Sequence, residues 1–376
     1  MRFFKISCTI LYTLLLLTAC DPVKTGKTSG QISASDGFYA PRQNYKAFSR
    51  RFIDSVETFF TPDFNGTILL YKDGHLYKKA IGFRDLKRKE RMQTDDVFQL
   101  ASVSKTVTAT AVMLLVQEGR IGLDSFVTLY LPDFPYQHVT VRHLLNHRSG
   151  LANYMYYTDT FWKDTARYMS NRDFYSFMLR SKPAPYMEPD KSFSYCNTNF
   201  AFLAVLVEQV SGKAFHSFVE DRIFKPAGMR NSFYMGHKPA RVKAKVLTGR
   251  YDHYEYSGKY YMDGILGDKS LFSNVEDLFL FHLALSEGRL LKPEFLQMMQ
   301  EPSYAHNVYG GSYGLGFRLM KTPGGQWTYH NGWWRGFWTS FWNRFDRKAC
   351  MVILTNNKRS SHVNKPGLAD MLLRGR

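Results

Sequence analysis

Apolar residues recur at helical spacing at Phe48, Phe52, Val56 and Phe59 or Phe60, which predicts an amphipathic helix over 45–60, closed by Pro62. The period then changes to two. Residues 67–71 and 76–83 read as strands joined by an Asp73-Gly74 turn, with another short strand near Val97. Strand patterns return at the other end of the chain, over 313–320, 326–330, 336–345 and 349–355, with turns at Pro323-Gly324 and near Asp346. Between 131 and 254 the pattern is helical, at 141–145, 172–179, 198–210 and 215–224, with Gly212 and Pro226 as stops. A helix over 275–285 has Ser273 and Glu276 spaced as a capping box and ends near Gly288. Strands at both ends around a helical centre predict an α+β fold. One antiparallel sheet is assembled from the two chain halves and flanked by helices, with a mainly helical region inserted. The expected division is a discontinuous α/β unit of residues 41–130 and 255–376, a helical region of 131–254, and a site between them.

The first residues differ from all of this. Arg2 and Lys5 precede an apolar stretch over 6–19 that is too short for a comfortable membrane span, so 1–19 reads as a secretory signal peptide. Its end, Leu17-Thr18-Ala19-Cys20, resembles the lipobox of bacterial lipoproteins, which implies cleavage before Cys20 and diacylation of that residue. Two acyl chains anchor stably where one is marginal. Residues 20–40, rich in Lys, Thr, Ser, Gly and Asp, then read as the lipidated Cys and a flexible tether. The expected location is the bacterial cell envelope, on a membrane and facing the periplasm, with the lipid bilayer as a partner.

Composition narrows the class. With 44% hydrophobic and 16% aromatic residues among 376, the chain can bury a sizeable core and is not disordered. Fifty Lys and Arg against 32 Asp and Glu give a formal charge of +18, and loss of Arg2 and Lys5 with the signal leaves +16. On an exported protein that charge points to anionic polymers or lipid headgroups, and no nucleic-acid partner is expected. Cys8 leaves with the signal and Cys20 is the anchor, so only Cys196 and Cys350 remain, too few for a disulfide framework.

The sharpest local pattern is Phe98-Gln99-Leu100-Ala101-Ser102-Val103-Ser104-Lys105, opening a helix over 102–118 buried along Val107, Ala111, Leu114 and Leu115. Ser102 would sit at the positive end of that helix, and the i,i+3 spacing puts the Lys105 ammonium on the same face. A desolvated Lys there favours loss of the Ser proton. Taken alone, Ser-x-x-Lys is commonly an N-cap Ser beside a solvated Lys.

Context decides between these readings. The stretch resembles the nucleophile motif of the serine β-lactamase and penicillin-binding protein superfamily, in the branch that includes class C β-lactamases, DD-peptidases and related esterases. Tyr195-Cys196-Asn197 resembles that family's Tyr-x-Asn element, and His330-Asn331-Gly332 its Lys-Thr-Gly element in the His-x-Gly form. Leu129-Tyr130-Leu131-Pro132, His147-Arg148-Ser149-Gly150-Leu151, Pro226-Ala227-Gly228-Met229 and Tyr313-Gly314-Leu315-Gly316-Phe317 are similar to its scaffold, so the likeness runs over about 45–370. Lys24-Thr25-Gly26 matches the third motif literally, but it lies in the tether before the nucleophile and is discarded.

The resemblance implies a β-lactamase/transpeptidase-like fold and a set of roles. Ser102 attacks an acyl carbon, Lys105 holds or takes its proton, and Tyr195 serves as base and then as acid for the leaving group. Asn197 orients Lys105 and contacts substrate. Asn331, Gly332 and Trp333 line the substrate strand, and the backbone N–H groups of Ser102 and Trp333 form the oxyanion hole. His330 is placed in substrate binding, but a neutral imidazole offers a directional hydrogen bond in place of a fixed charge. That favours esterase or other peptidase chemistry over a dedicated carboxylate-binding β-lactamase.

Several tempting residues carry less. Cys196 lacks the partners of a cysteine nucleophile and reads as a small residue facing away from the cleft. His143 and His147, at i,i+4, lack a third ligand, so no metal site is assigned and no cofactor is expected. Trp338 and Trp342 share a sheet face by alternation and read as core, whereas Trp333 and Trp334 belong at the cleft edge. Gly267-Asp268-Lys269 is either a charged loop beside the cleft or an ordinary turn. The function expected is an envelope serine hydrolase acting through a Ser102 acyl-enzyme on an ester or amide, with a small-molecule, peptide or peptidoglycan-derived substrate. The alternative is a non-catalytic cell-wall-binding or regulatory protein on the same scaffold; oligomeric state is left open.

Overall fold

The structure is a computed structural model describing residues 31–374 apart from 33–35, 41–43, 86, 252–253, 257 and 305–310. The signal segment 1–19 and the lipidation site Cys20 lie outside the described residues. Eight strands form the main sheet: β1 (Lys46–Ala47), β2 (Gly66–Lys72), β3 (His75–Ile81), β4 (Gly311–Tyr313), β5 (Arg318–Thr322), β6 (Gly325–Trp334), β7 (Phe337–Arg344) and β8 (Ala349–Thr355). Their order is β4-β5-β6-β7-β8-β2-β3-β1, antiparallel throughout except for the parallel pair β1 and β3. The two chain halves join where β8 pairs with β2, from Ala349 opposite Lys72 to Thr355 opposite Gly66.

That seam shows why the sheet needs helices on both sides. Every residue of β8 is buried, and successive side chains alternate between two cores. Ala349, Met351 and Ile353 meet Ile68 and Leu70 under two outer helices, α1 (Arg50–Glu57) and α5 (Lys365–Arg374). Cys350, Val352 and Leu354 face the larger core with Leu69 and Tyr71. Packed there are α2 (Ser104–Gln117), α3 (Asn197–Ser211) and α4 (Val275–Ser286). α2 is buried on all sides from Ser104 to Leu115, not along the single stripe expected, because it runs through the middle of this core.

Other elements depart from expectation for local reasons. α1 begins at Arg50, where Ser49 Oγ accepts the Phe52 N–H at 3.3 Å. The cap of α4 is Asn274, whose side chain accepts from the Asp277 N–H at 2.9 Å; Ser273 ends the preceding strand and makes no capping box. The helix expected over 215–224 is a short α-helix, Phe215–Val219, relaxing into a wider π-turn over Glu220–Phe224. Within the segment 20–40, Phe38 and Tyr39 are buried, and the Arg241 guanidinium lies 4.7 Å from the Phe38 ring. The end of the expected tether is therefore part of the folded body.

Candidate active site

Ser102 sits in a single 3-10 turn, Ala101–Val103, that precedes α2 proper. The turn is unusual at Ala101, whose φ of 50° lies in the left-handed region and costs roughly 1–2 kcal/mol for a residue with a Cβ. It is held there from both sides. The Leu100 N–H donates to Leu271 O at 2.8 Å, and Thr339 Oγ1 on β7 donates to Leu100 O at 2.6 Å. Backbone and sheet together thus fix the serine before any substrate arrives.

Lys105, one turn on, is fully buried. Its Nζ donates to Asn197 Oδ1 and to the main-chain oxygen of Asp268, each at 2.8 Å, and lies 3.1 Å from Ser102 Oγ. Tyr195 approaches from the opposite side, its hydroxyl donating to Ser102 Oγ at 2.9 Å. Asn197 is the first residue of α3 and does not cap it; its Nδ2 contacts Met155 Sδ at 3.0 Å. The structure therefore brings Ser102, Lys105, Tyr195 and Asn197 together as one hydrogen-bonded group. His147 supports it from beneath: Nδ1 accepts the Cys196 N–H at 3.1 Å, and the ring lies 4.4 Å from that of Tyr195. Burial and the nearby Lys105 push His147 well below its ordinary range, so it is neutral.

The third motif occupies β6. β5 pairs with β6 only as far as Tyr329, leaving the edge beyond it to face the cleft. A Cβ on Gly332 would lie 2.3 Å from Leu100 O and 2.2 Å from Thr339 Oγ1, so glycine lets the strand touch the serine's own turn. Ser102, Asn331, Gly332 and Trp333 consequently line one cleft of 580 Å³. His330 does not line it. It is fully buried, its Nδ1–H donating to Asn331 O at 2.8 Å and its Nε2 accepting from the Tyr313 hydroxyl at 3.1 Å. Burial, then Arg318 and Lys105, drive its pKa far down. The expected substrate contact is thus a neutral residue behind the wall, 6.2 Å from the Tyr195 ring and covered by Tyr313.

The tryptophans divide as well. Trp333 is 67% exposed at the cleft edge, and Trp334 Nε1 donates to Asp263 Oδ1 at 2.6 Å. Trp342 is core, but Trp338, on the same face, reaches the cleft wall because β7 extends past the outer core. Lys269 also lines the cleft: its Nζ meets Asp268 Oδ1 at 3.3 Å and the Tyr154 hydroxyl, and burial pulls its pKa below 10.5.

Arg318 was not singled out by its sequence neighbourhood, although it directly follows the Tyr313–Phe317 scaffold segment. Its guanidinium lies 5.0 Å from the Tyr195 ring and lines the cleft. A basic residue directly after the Tyr313–Phe317 segment, on the strand that pairs with the third motif's strand, was the available signal. Among the described residues the charged groups on this cleft wall are Lys269, Arg318 and Lys365, all cations. Cys196 and Cys350 are buried and unpaired, with burial raising both thiols. His143 Nδ1 accepts the Thr140 N–H at 3.3 Å, a scaffold role. Among the described residues no three His, Cys, Asp or Glu side chains converge as metal ligands, and no helix is long and apolar enough to cross a membrane.

Comparison with known proteins places this geometry. The family described as Beta-lactamase matches residues 64–373. Penicillin-binding protein 4* of Bacillus subtilis (strain 168) is 32% identical over 318 residues, covering 78% of this chain and 68% of that protein. A D-aminopeptidase of Cereibacter sphaeroides is 26% identical over 316 residues, covering 83% of this chain but 60% of that protein, so the chain spans under two thirds of that relative's length. Among solved structures, a penicillin binding protein from Bacillus halodurans superposes with a TM-score of 0.71 at 24% identity, over 82% of this chain and 95% of that one. A D-amino acid amidase from Ochrobactrum anthropi SV3 gives 0.72 at 23% identity, over 86% and 98%. These last two likenesses concern the fold.

Proposed function

Because the chain belongs to the beta-lactamase family, as a serine hydrolase of the β-lactamase and penicillin-binding protein type, we propose that it cleaves amide or ester bonds of D-amino-acid compounds through an acyl-enzyme on Ser102. The observation that carries this reading is the placement of Ser102 Oγ, 3.1 Å from Lys105 Nζ and 2.9 Å from the Tyr195 hydroxyl, at the wall of an open cleft. Tyr195 acts as the base within the proton network it shares with Ser102 and Lys105. Ser102 Oγ attacks the acyl carbon while its proton passes to the Tyr195 oxygen, and that proton then goes to the departing amine or alcohol. Water attacks the acyl-enzyme by the reverse route, giving its proton to Tyr195 and restoring Ser102. Lys105 and Arg318 lie over the Tyr195 ring at 5.2 and 5.0 Å and favour negative charge that develops on it during the transfer. The backbone N–H groups of Ser102 and Trp333 receive the oxyanion, since Gly332 brings turn and strand edge into contact.

The cationic wall also bears on substrate. A neutral His330 supplies no fixed charge and Lys269 is paired with Asp268, but the Arg318 guanidinium gives the cleft a positive charge suited to a substrate carboxylate rather than a free ammonium. A carboxylate-bearing D-amino-acid peptide is therefore favoured over its amide. The test is intact-mass detection of an adduct, with kcat/KM for a D-alanyl-D-alanine peptide, its C-terminal amide and a D-alanine anilide, in wild type and Ser102→Ala. Absence of any Ser102-dependent adduct or turnover overturns the catalytic reading and leaves the binding-protein alternative. We further propose that the protein is an exported lipoprotein anchored through Cys20; labelled-palmitate incorporation that persists in Cys20→Ser would overturn this.

A further inference from the structure

We infer that a second, saccharide-binding shelf adjoins the reaction cleft. It is a groove of 510 Å³ built on Tyr254, Tyr256, Tyr260, Trp333 and Trp334, flanked by Lys259 and Arg335. Trp333 and Trp334 line both the shelf and the cleft that holds Ser102, so one bound molecule can occupy the two together. Tyr254 and Trp333 are 64% and 67% exposed, a large aromatic surface left to solvent.

The make-up of the lining selects the occupant. Another cavity of similar size, 590 Å³, mixes aromatics with Val246, Leu247 and Met235, as a general apolar pocket does. The shelf has no aliphatic side chain; each ring is a Tyr or Trp, apolar on its face and polar at its tip. An acyl chain needs apolar walls on all sides. A pyranose ring offers one apolar C–H face and a rim of hydroxyls, which matches ring faces bordered by hydroxyl, indole N–H and cationic donors.

The rings are also held in place. Trp334 Nε1 is fixed on Asp263 Oδ1, the Trp334 and Tyr260 rings lie 5.7 Å apart at 51°, and Tyr254 meets Tyr256 edge to face at 5.0 Å and 87°. The Arg335 guanidinium lies 5.1 Å from the Tyr260 ring and 5.6 Å from that of Tyr256. Trp334 and Tyr260 therefore need little ordering on binding. The shelf thus receives the sugar portion of a glycan-linked substrate whose scissile acyl group lies at Ser102, an assignment that rests on the proposed reaction for its second half only.

The test separates the two halves. Binding of a soluble β-linked N-acetylglucosamine oligomer to Ser102→Ala protein, followed by titration calorimetry, needs no turnover; it is expected to be saturable and to weaken at least about tenfold when Tyr254→Ala and Tyr256→Ala are added. In active protein, the same D-amino-acid peptide attached to a short glycan is expected to show about tenfold higher kcat/KM than the free peptide. The Tyr254→Ala/Tyr256→Ala variant should lose that gain and hydrolyse the free peptide at the wild-type rate. No saturable binding, or binding undiminished in the double variant, overturns the shelf. So does a rate gain on lengthening an ester's acyl group from acetyl to octanoyl that disappears in the double variant, because it would assign the groove to lipid. If binding behaves as expected and neither protein turns over, the shelf stands and the reaction assigned to Ser102 falls.

Discussion

The two sides of the cleft are built on opposite principles. Around Ser102 the polar groups are satisfied by one another: Lys105 is buried with three oxygen neighbours, the half-buried Asn197 and Tyr195 each have a fixed partner, and the main chain at Ala101 is held in a costly conformation. Along the opposite rim, Trp333 and Tyr254 are mostly exposed. The difference teaches where precision is needed. Proton transfer tolerates little displacement and is housed in a close-packed network, whereas recognition of a large substrate uses surface that is already accessible.

Four substitutions and one titration test that contrast, in order of expected effect. Ser102→Ala should lower turnover by at least about 10⁴-fold with the melting temperature unchanged, measured by steady-state kinetics and calorimetry. Tyr195→Phe removes the proton carrier and keeps the ring, so kcat should fall about 10²- to 10⁴-fold while KM changes little. Gly332→Ala drives a methyl into Leu100 O and should cost about 2 kcal/mol of stability in urea unfolding, with a loss of kcat, since the strand must leave the serine's turn. Trp333→Ala, on the rim, should leave the melting temperature alone and lower kcat/KM about tenfold, more for large substrates than for small ones. An equal loss on all substrates would erase the distinction between rim and centre.

The smallest effect concerns acid. His282 is buried, its Nδ1–H donating to Asn343 Oδ1 at 2.9 Å, and burial pushes its pKa down from 6.5 to about 4. The unfolded chain binds that proton more readily than the folded one, so its contribution to stability is complete above pH 6.5 and declines as pH falls from 6.5 towards 4. His147 and His330, also buried neutral, act in the same direction. Urea midpoints across this range should fall with pH, and His282→Gln should flatten the slope.

Much of this architecture was legible in the sequence because local pattern and tertiary role agree there. The continuous apolar run 349–355 marks a strand buried on both faces, and the helical spacing in 141–145 marks a helix whose buried face is set by its period. The nucleophile segment was legible through its chemistry, and Ser102, Lys105, Tyr195 and Asn197 do converge. What was hidden depends on contacts distant in sequence. That His330 is covered follows from its contact with Tyr313, 17 positions earlier, and Arg318 gains its significance from a ring 123 positions earlier. The cap of α4 moved to Asn274 because Ser273 pairs as a strand residue with Phe98, a competition no local spacing reveals. Phe38 and Tyr39 were masked by the polar residues around them.

One of the oxygens that hold Lys105 is the carbonyl of Asp268, and the neighbouring carbonyl of Gly267 accepts the Thr108 hydroxyl at 2.7 Å. Both belong to the main chain, so replacing the Asp268 side chain leaves the lysine's acceptor in place. Loss of that carboxylate is felt by Lys269 and Tyr154, not by the acceptor of Lys105. The informative change is to add atoms: Gly267 has a φ of 106° and a Cβ there would lie 2.3 Å from Phe200 O, so Gly267→Ala shifts both carbonyls at once. The loop's hold on the lysine is written in peptide groups and is intolerant of a single methyl.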